Sequence, residues 1–135
     1  MRKRKGAAVI SGIIVILLII LAYFFFPLKP LASLNMADVE EIHVFAVPAG
    51  QEVILCQEEI EKAVNLLRDI KVYQPGYIAN STVGQYVKLS IMKTDGTEIE
   101  IINEGNIIIS INGVSYRAEY VSAEEVSSFV NDILY

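Results

Sequence analysis

An uninterrupted apolar segment near the start of the chain, from Ala7 to Phe26, limits what this protein can fold into. It follows the basic sequence Met1-Arg-Lys-Arg-Lys5 and precedes Pro27-Leu-Lys-Pro30. A helix of about 20 residues at 1.5 Å per residue covers roughly 30 Å, the thickness of the hydrocarbon layer of a bilayer. The sequence therefore predicts a transmembrane anchor at residues 7–27, with the lipid bilayer as its partner.

The residues that flank this segment predict its orientation. Four basic residues precede it: Arg2, Lys3, Arg4 and Lys5. Because cytoplasmic flanks carry an excess of Lys and Arg, residues 1–6 are predicted to form a cytoplasmic basic tail and the C-terminal domain to be extracellular. Four aromatic residues end the segment: Tyr23, Phe24, Phe25 and Phe26. Aromatic rings favour the headgroup level, so we expect them to fix the outer end of the helix.

A secreted domain with a cleaved signal peptide is the alternative, because signal peptides share the basic start and the apolar core. Their cores have about 7–15 residues and small residues before the cut, whereas this apolar segment is longer. A cut after Ala32 or Ser33 would put Pro30 or Leu31 where a small residue is preferred. These features favour a retained anchor in the cell membrane.

The chain beyond the anchor is acidic and has the size of one domain. Residues 36–135 contain six basic and 16 acidic residues, a net charge of −10. Such a domain repels phosphate backbones, so nucleic acid is not an expected partner. Cys56 is the only cysteine in the sequence, which excludes an intramolecular disulfide, and its apolar neighbours predict a buried, inert thiol.

The first part of the external chain combines a stalk, a hairpin and a helix. Residues 28–37 hold a proline and little periodicity, which predicts a short stalk and leaves residues 38–135 as the extracytoplasmic domain. Residues 40–47 and 51–56 read as two strands joined by a short turn. From Glu58 the apolar residues recur at helical spacing, which predicts an amphipathic helix.

The second part of the domain has strand alternation interrupted by turn signals. The turns are Asp95-Gly96, Glu104-Gly105 and Asn112-Gly113, and they divide residues 86–120 into four antiparallel strands. Lys71-Val-Tyr73 has the composition of a further short strand, and Ser122-Ala-Glu-Glu125 matches a capping box at the start of a final helix. The predicted fold is α+β: an N-terminal transmembrane helix, then an antiparallel sheet of about six strands with two helices packed on one face, in the order ββα-ββββ-α.

Residues 74–85 have no clear period and predict the main irregular loop of the domain. Long loops on a rigid scaffold often carry binding residues, so this loop and its flanks are the candidate binding surface. The candidate residues are Tyr73, Pro75, Tyr77, Asn80 and Tyr86. The expected ligand is a protein, a peptide or another component of the cell envelope. Asn80-Ser-Thr82 also matches the N-glycosylation pattern.

No group of residues in the sequence forms a recognisable catalytic motif. His43 is the only histidine, whereas a catalytic zinc normally has three protein ligands, and every serine would have to share this histidine as its base. We therefore expect no enzyme activity, metal or cofactor, and a hydrolase based on His43 is a minor alternative. A further alternative is an accessory subunit that associates through its membrane helix, where Ala8 and Gly12 have small-x-x-x-small spacing.

The order of these features resembles a known kind of domain. Its marks are the basic start, the single membrane helix, Leu31-Ala-Ser-Leu34, Glu41-Ile-His-Val44 and the strand that ends in Tyr120. The pattern is similar to small uncharacterised membrane-anchored extracytoplasmic domains of Gram-positive bacteria, which also occur as outer domains of membrane metallopeptidase-type regulators. The resemblance implies a location at the cell surface. The sequence lacks His-Glu-x-x-His, so no catalytic residue carries over.

Overall fold

The computed structural model describes residues 2–80 and 82–135, which form three α-helices and seven strands. Met1, Ser81 and the side chain of Arg2 lie outside this description, and with them the first residue of the predicted tail and the centre of the Asn80-Ser-Thr82 pattern. The helices are α1 (Arg2–Phe25), α2 (Gln57–Arg68) and α3 (Tyr120–Leu134). The strands are β1 (Val39–Val47), β2 (Glu52–Ile54), β3 (Val72–Tyr73), β4 (Tyr86–Lys93), β5 (Glu98–Glu104), β6 (Ile108–Ile111) and β7 (Val114–Ala118).

The described strands form one antiparallel sheet in the order β2-β1-β4-β5-β6-β7-β3, which confirms the α+β class. The predicted hairpin of β1 and β2 and the meander from β4 to β7 are present, and β3 joins the sheet as its edge beside β7. Side chains of alternate strand residues, such as Ile42, Val44 and Ala46 in β1, are fully buried. They share one core with the apolar stripes of α2 and α3.

The segment predicted as a stalk belongs to the domain, which corrects the expectation for residues 28–37. Leu31 and Leu34 are only 5% and 6% exposed. Leu28 exchanges two backbone hydrogen bonds with Val72, at 2.8 and 2.9 Å, and so pairs with the edge strand β3. The leucines bury apolar surface against the sheet, which stabilises the packed conformation over a free linker. The domain therefore begins at Leu28.

Helix α3 begins two residues before the predicted capping box, which corrects the start expected at Ser122. The Ser122 side chain is buried, and its Oγ accepts a hydrogen bond from the Lys71 backbone N–H at 3.1 Å and donates to Glu119 Oε1 at 3.2 Å. It thus links α3 to the chain before β3. Strand β7 ends at Ala118, and Tyr120, predicted as the last residue of a strand, is an exposed residue of the helix.

The prediction of a buried Cys56 is wrong. Cys56 is exposed because it occupies the turn between buried Leu55 and the first residue of α2. Its backbone N–H donates a hydrogen bond to Glu59 Oε1 at 2.9 Å, so this position serves as the N-cap of the helix. Of the apolar residues before it, Val53 and Leu55 pack on the core, whereas Ile54 between them is 55% exposed.

Candidate functional site

The face of the sheet opposite α2 and α3 is uncovered. Within residues 2–80 and 82–135, no helix packs across it, apart from the end of α1 at the β7–β3 edge. Because strand side chains alternate, β1 presents His43 and Phe45 on this face, and β4 presents Tyr86, Lys88 and Ser90. We refer to it as the open face.

His43 on the open face is held between two carboxylates. Its Nδ1 lies 2.8 Å from Glu52 Oε1, and its Nε2 lies 2.8 Å from Glu41 Oε2. Glu41 is two residues earlier on the same face of β1, and Glu52 is brought there by the β1–β2 register, in which it pairs with Phe45. The pair of His43 with Glu52 therefore connects the edge strand β2 to β1, whereas its pair with Glu41 lies within β1.

These contacts raise the pKa of His43 above its ordinary value. The hydrogen bond with Glu41 is the largest cause and that with Glu52 is the second, while partial burial acts in the opposite direction. A carboxylate only accepts hydrogen bonds, so both ring nitrogens must carry a proton to satisfy both partners. The arrangement therefore favours the imidazolium cation.

A cavity of about 310 Å³ opens beside this histidine. It is lined by His43, Phe45, Glu52, Tyr86, Lys88 and Ser90. The rings of Phe45 and Tyr86 meet edge to face, with their centroids 6.5 Å apart. Lys88 Nζ, on the other side, lies 3.3 Å from Glu100 Oε2. The cavity thus offers an aromatic wall and groups of both charges to a ligand.

The geometry at His43 favours binding over nucleophilic catalysis. Ser90 is the residue opposite His43 in the β1–β4 register and supplies a hydroxyl to the same cavity. A histidine that acts as general base needs a ring nitrogen within reach of the nucleophile, but both nitrogens here lie 2.8 Å from carboxylate oxygens. Among the described residues, no three His, Cys, Asp or Glu side chains are placed to hold a metal ion.

The five residues predicted to form the binding loop lie in different places. Tyr73 is on the edge strand β3, whereas Tyr86 starts β4 and lines the cavity. Four strand spacings separate β3 from β4, which is roughly 19 Å. Pro75 and Asn80 are exposed and Tyr77 is partly buried in the loop between these strands. Of the five, Tyr86 alone is at the cavity.

Tyr73 and Pro75 belong to a joint between the domain and the end of α1. The hydroxyl of Tyr23 donates to the Pro75 carbonyl oxygen at 2.9 Å. Arg117 Nη2 donates to the Phe24 carbonyl oxygen at 2.9 Å, and its guanidinium carbon lies 4.7 Å from the centre of the Tyr73 ring. Arg117 thus satisfies a backbone acceptor at the helix C-terminus, where a positive charge is also favourable.

Helix α1 carries the predicted anchor residues along an exposed surface. The span Lys3–Phe25 has a mean hydropathy of 3.0, and none of its apolar window is buried by the described domain. Lys3, Arg4 and Lys5 belong to α1, so the basic residues predicted as a separate tail form the first turn of the helix. Tyr23, Phe24, Phe25 and Phe26 are exposed at the other end. This N-terminal apolar helix is compatible with a membrane anchor or a signal sequence.

The sequence did not identify Phe45, Glu52, Lys88 and Ser90 as neighbours of His43. Phe45 and Glu52 could have been found from the predicted hairpin, because its register decides which residue of β2 lies opposite β1. Lys88 and Ser90 come from β4, which is separated from β1 by the whole of α2, and no local pattern gives that pairing. Comparisons with models of known protein families, with curated proteins and with solved structures found no match.

Proposed function

We propose that this chain is a single-pass membrane protein of the cell surface, with its N-terminus in the cytoplasm and its α+β domain outside. We further propose that this domain binds a protein or peptide of the cell envelope on its open face. The observation that carries the proposal is a contrast at the end of α1: the domain buries none of the apolar window of the helix, whereas leucines that follow the helix closely are part of the domain core.

The uncovered surface of α1 supports a bilayer location. Its large apolar side chains are 43% to 71% exposed. Removing one such side chain from water gains about 1.5–3 kcal/mol, so an isolated apolar helix is unfavourable in water and favourable in hydrocarbon. The basic residues at its start support the cytoplasmic location of the N-terminus.

The packing of residues 28–34 supports a retained anchor over a cleaved signal. A cut after Ala32 or Ser33 would separate Leu28 and Leu31 from the domain. Loss of Leu28 would leave the backbone N–H and carbonyl of Val72 in β3 without their partner, and loss of Leu31 would leave a cavity in the core. A chain that is cut there loses part of its own fold. This location agrees with the resemblance to anchored domains of Gram-positive bacteria.

Location and retention are tested together on the full chain expressed in a Gram-positive host with a tag after Tyr135. We expect the protein to resist alkaline extraction from membranes, to keep its N-terminal residues by intact mass, and to lose the tag when protoplasts are treated with protease. A mature mass that begins after residue 30 would contradict retention. A tag protected on intact protoplasts would contradict the orientation.

The cavity on the open face supports the binding role. Its aromatic wall, formed by Phe45 and Tyr86, suits an apolar side chain of a ligand, and His43 and Lys88 add polar and charged groups within the same cavity. A mixture of apolar and charged groups in one concave site is typical of binding sites. The paired ring nitrogens of His43 support binding rather than hydrolysis as the role of this site.

Binding is tested by placing a photoreactive amino acid at Phe45, in the cavity, and at Thr94, in the hairpin at the opposite end of the strands. Irradiation of cells should give a crosslinked product of defined mass from position 45 and none from position 94. The product should also disappear when the neighbouring Tyr86 is changed to Ala. The same products from both positions would contradict a specific site on the open face.

A second candidate function is an accessory subunit that associates through α1. The uncovered helix favours it, since nothing lies within 4 Å of a side chain built at Gly12, which has the small-x-x-x-small spacing with Ala8. Exchange of residues 7–26 for an unrelated membrane helix distinguishes the two functions. Loss of the crosslinked product would favour association through α1, and its retention would favour the open face.

A further inference from the structure

We propose that the loop between β3 and β4 contacts the headgroup layer of the outer leaflet through Ile78 and Val83. We call residues 74–80 and 82–85 the anchor-side loop. The sequence alone suggested that this loop binds an envelope ligand, but its position beside α1 indicates lipid as the partner. The inference rests on the proposed membrane location of α1.

The first argument is the position of the anchor-side loop relative to the helix end. The Tyr23 hydroxyl is hydrogen-bonded to the Pro75 carbonyl at 2.9 Å. Tyr23 is two residues before the last residue of α1, which is about 3 Å along the helix axis. Tyrosine rings at the ends of membrane helices lie at the headgroup level. Pro75 is therefore at that level, and Ile78 follows it within about 10 Å of chain.

The second argument is that the sheet has one end that faces the anchor. Cross-strand pairs link Val47, Tyr86, Glu104, Ile108, Arg117 and Tyr73 in one row across the sheet. Arg117 in this row donates to the last turn of α1. The anchor-side loop and the β5–β6 turn leave the sheet beyond this row, so they lie at the same end as the helix. The hairpins at Asp95 and Asn112 lie at the other end.

The C-terminal part of the anchor-side loop is also held at this end of the sheet. The Gly105 backbone N–H donates to the Gln85 carbonyl at 2.9 Å. A side-chain carbon at Gly105 would lie 2.5 Å from the Val83 carbonyl oxygen, so the loop and the β5–β6 turn approach as closely as glycine permits. Val83 is thereby held next to the row that contains Arg117.

The third argument is the exposure of two apolar residues in this loop. Ile78 is 86% exposed and Val83 is 83% exposed, more than any other large hydrophobic residue in the described chain, those of α1 included. A single exposed apolar side chain is ordinary on a protein surface. Two of them, almost fully exposed and at the same end of the sheet as the end of α1, match a segment that inserts its apolar side chains at the interface.

The fourth argument is charge. The sequence from Val72 to Val87 contains no Asp, Glu, Lys, Arg or His, although residues 36–135 carry a net charge of −10. An anionic leaflet repels carboxylates, so an uncharged segment can approach it more closely than the rest of the domain. Two acids border the loop: Glu104, which is half-buried and accepts a hydrogen bond from Thr82 Oγ1 at 3.4 Å, and Glu124, which lines a cavity with Gly84 and Gln85.

The sequence contains no tryptophan, so a single introduced tryptophan reports on its own surroundings. The variants Ile78→Trp and Val83→Trp place it in the anchor-side loop, Val114→Trp places it at the opposite end of the sheet, and Phe25→Trp places it in α1. Each full chain is reconstituted into vesicles of phosphatidylcholine and phosphatidylglycerol in equal parts. Some of the lipids carry a nitroxide quencher on the upper part of the acyl chain.

We expect a blue-shifted, strongly quenched emission from Phe25→Trp and from both loop variants, and an unquenched, red emission from Val114→Trp. Quenching of Phe25→Trp with loop variants that behave like Val114→Trp would overturn the loop inference and leave the anchor intact. An unquenched Phe25→Trp would instead overturn the membrane location itself. Two loop positions are used so that a local effect of one substitution is recognised.

Discussion

The packing of the chain directly after α1 gives a quantitative prediction for Leu31→Ala. Leu31 is 5% exposed and belongs to the same core as the sheet and the two packed helices. Truncating a buried leucine to alanine costs about 2–5 kcal/mol, of a total domain stability of about 5–15 kcal/mol. We expect a loss at the lower part of that range, because Leu31 lies near the domain surface and its cavity can partly collapse.

The assay is urea unfolding of the full chain in detergent micelles, followed by tyrosine fluorescence. With a slope of about 1–3 kcal/mol per molar urea, a loss of about 2–3 kcal/mol lowers the midpoint by about 0.7–3 M. Two control variants are expected to change the midpoint little. Ile54→Ala removes a similar side chain from a site that is 55% exposed, and Ser33→Ala changes an exposed residue in the same segment.

A free stalk would give the opposite result. In a flexible linker Leu31 would have no fixed neighbours, and its truncation would leave the midpoint within the range of surface substitutions, about 0.5 kcal/mol. If Leu31→Ala and Ser33→Ala have the same midpoint, residues 28–34 do not pack on the domain. The argument that a cut in this segment would damage the fold would then be wrong as well.

Three further variants test the site and the loop contact. The folded-state pKa of His43 is raised, so its ion pairs stabilise the domain fully only below the unfolded pKa of about 6.5 and lose this effect as the pH rises through the folded pKa. The Tm difference between the native chain and His43→Gln should therefore shrink from about pH 6 upwards, and a constant difference would contradict this. Asn103→Ala removes a fully buried amide with three acceptors at 2.9 Å and should cost about 1–3 kcal/mol, against less than about 1 kcal/mol for exposed Asn65→Ala. Gly105→Ala should destabilise more than Gly113→Ala, because both have positive φ but only the first meets a backbone oxygen at 2.5 Å; equal losses would show that the close approach has no cost.

Local patterns were sufficient for most elements of this fold. The alternation of Val87, Leu89 and Ile91 predicted β4, and Asp95-Gly96 predicted the hairpin that follows it. Helix α2 was also predicted, because the apolar residues recur at helical spacing from Glu58 onwards. These signals are local, since each element buries one face and turns require particular residues.

The errors occurred where tertiary contacts override the local pattern. Leu28 and Leu31 each follow a proline, which predicted an extended stalk, and the burial of Leu31 and Leu34 depends on a core made by distant residues. Ser122 matched a helix cap by its neighbours, but it instead accepts a hydrogen bond from Lys71, which is 51 residues away. Sequence spacing contains no information about such partners.

The candidate site was harder to predict than the fold for the same reason. His43 could be singled out by its rarity, and one of its two carboxylates, Glu41, is a near neighbour in sequence. The cavity also needs Lys88, which reaches His43 only through the pairing of β1 with β4. The tyrosines of the predicted loop were grouped by their proximity in sequence. In the sheet, Tyr73 and Tyr86 lie on strands that are four strand spacings apart.

The joint at α1 also determines how far the cavity is from the membrane. Val47 is in the row of residues at the anchored end of the sheet, and His43 is four residues further along β1, which is roughly 13 Å at 3.3 Å per residue. The charge of an anionic leaflet is screened over about 8 Å at physiological ionic strength. Strands that extend away from the bilayer therefore carry His43 beyond most of that field, while Tyr86, which pairs with Val47, forms the end of the cavity nearest the anchor. In the proposed arrangement the anchored end contacts lipid, while His43 senses the pH and the ligands of the external medium rather than those of the membrane surface.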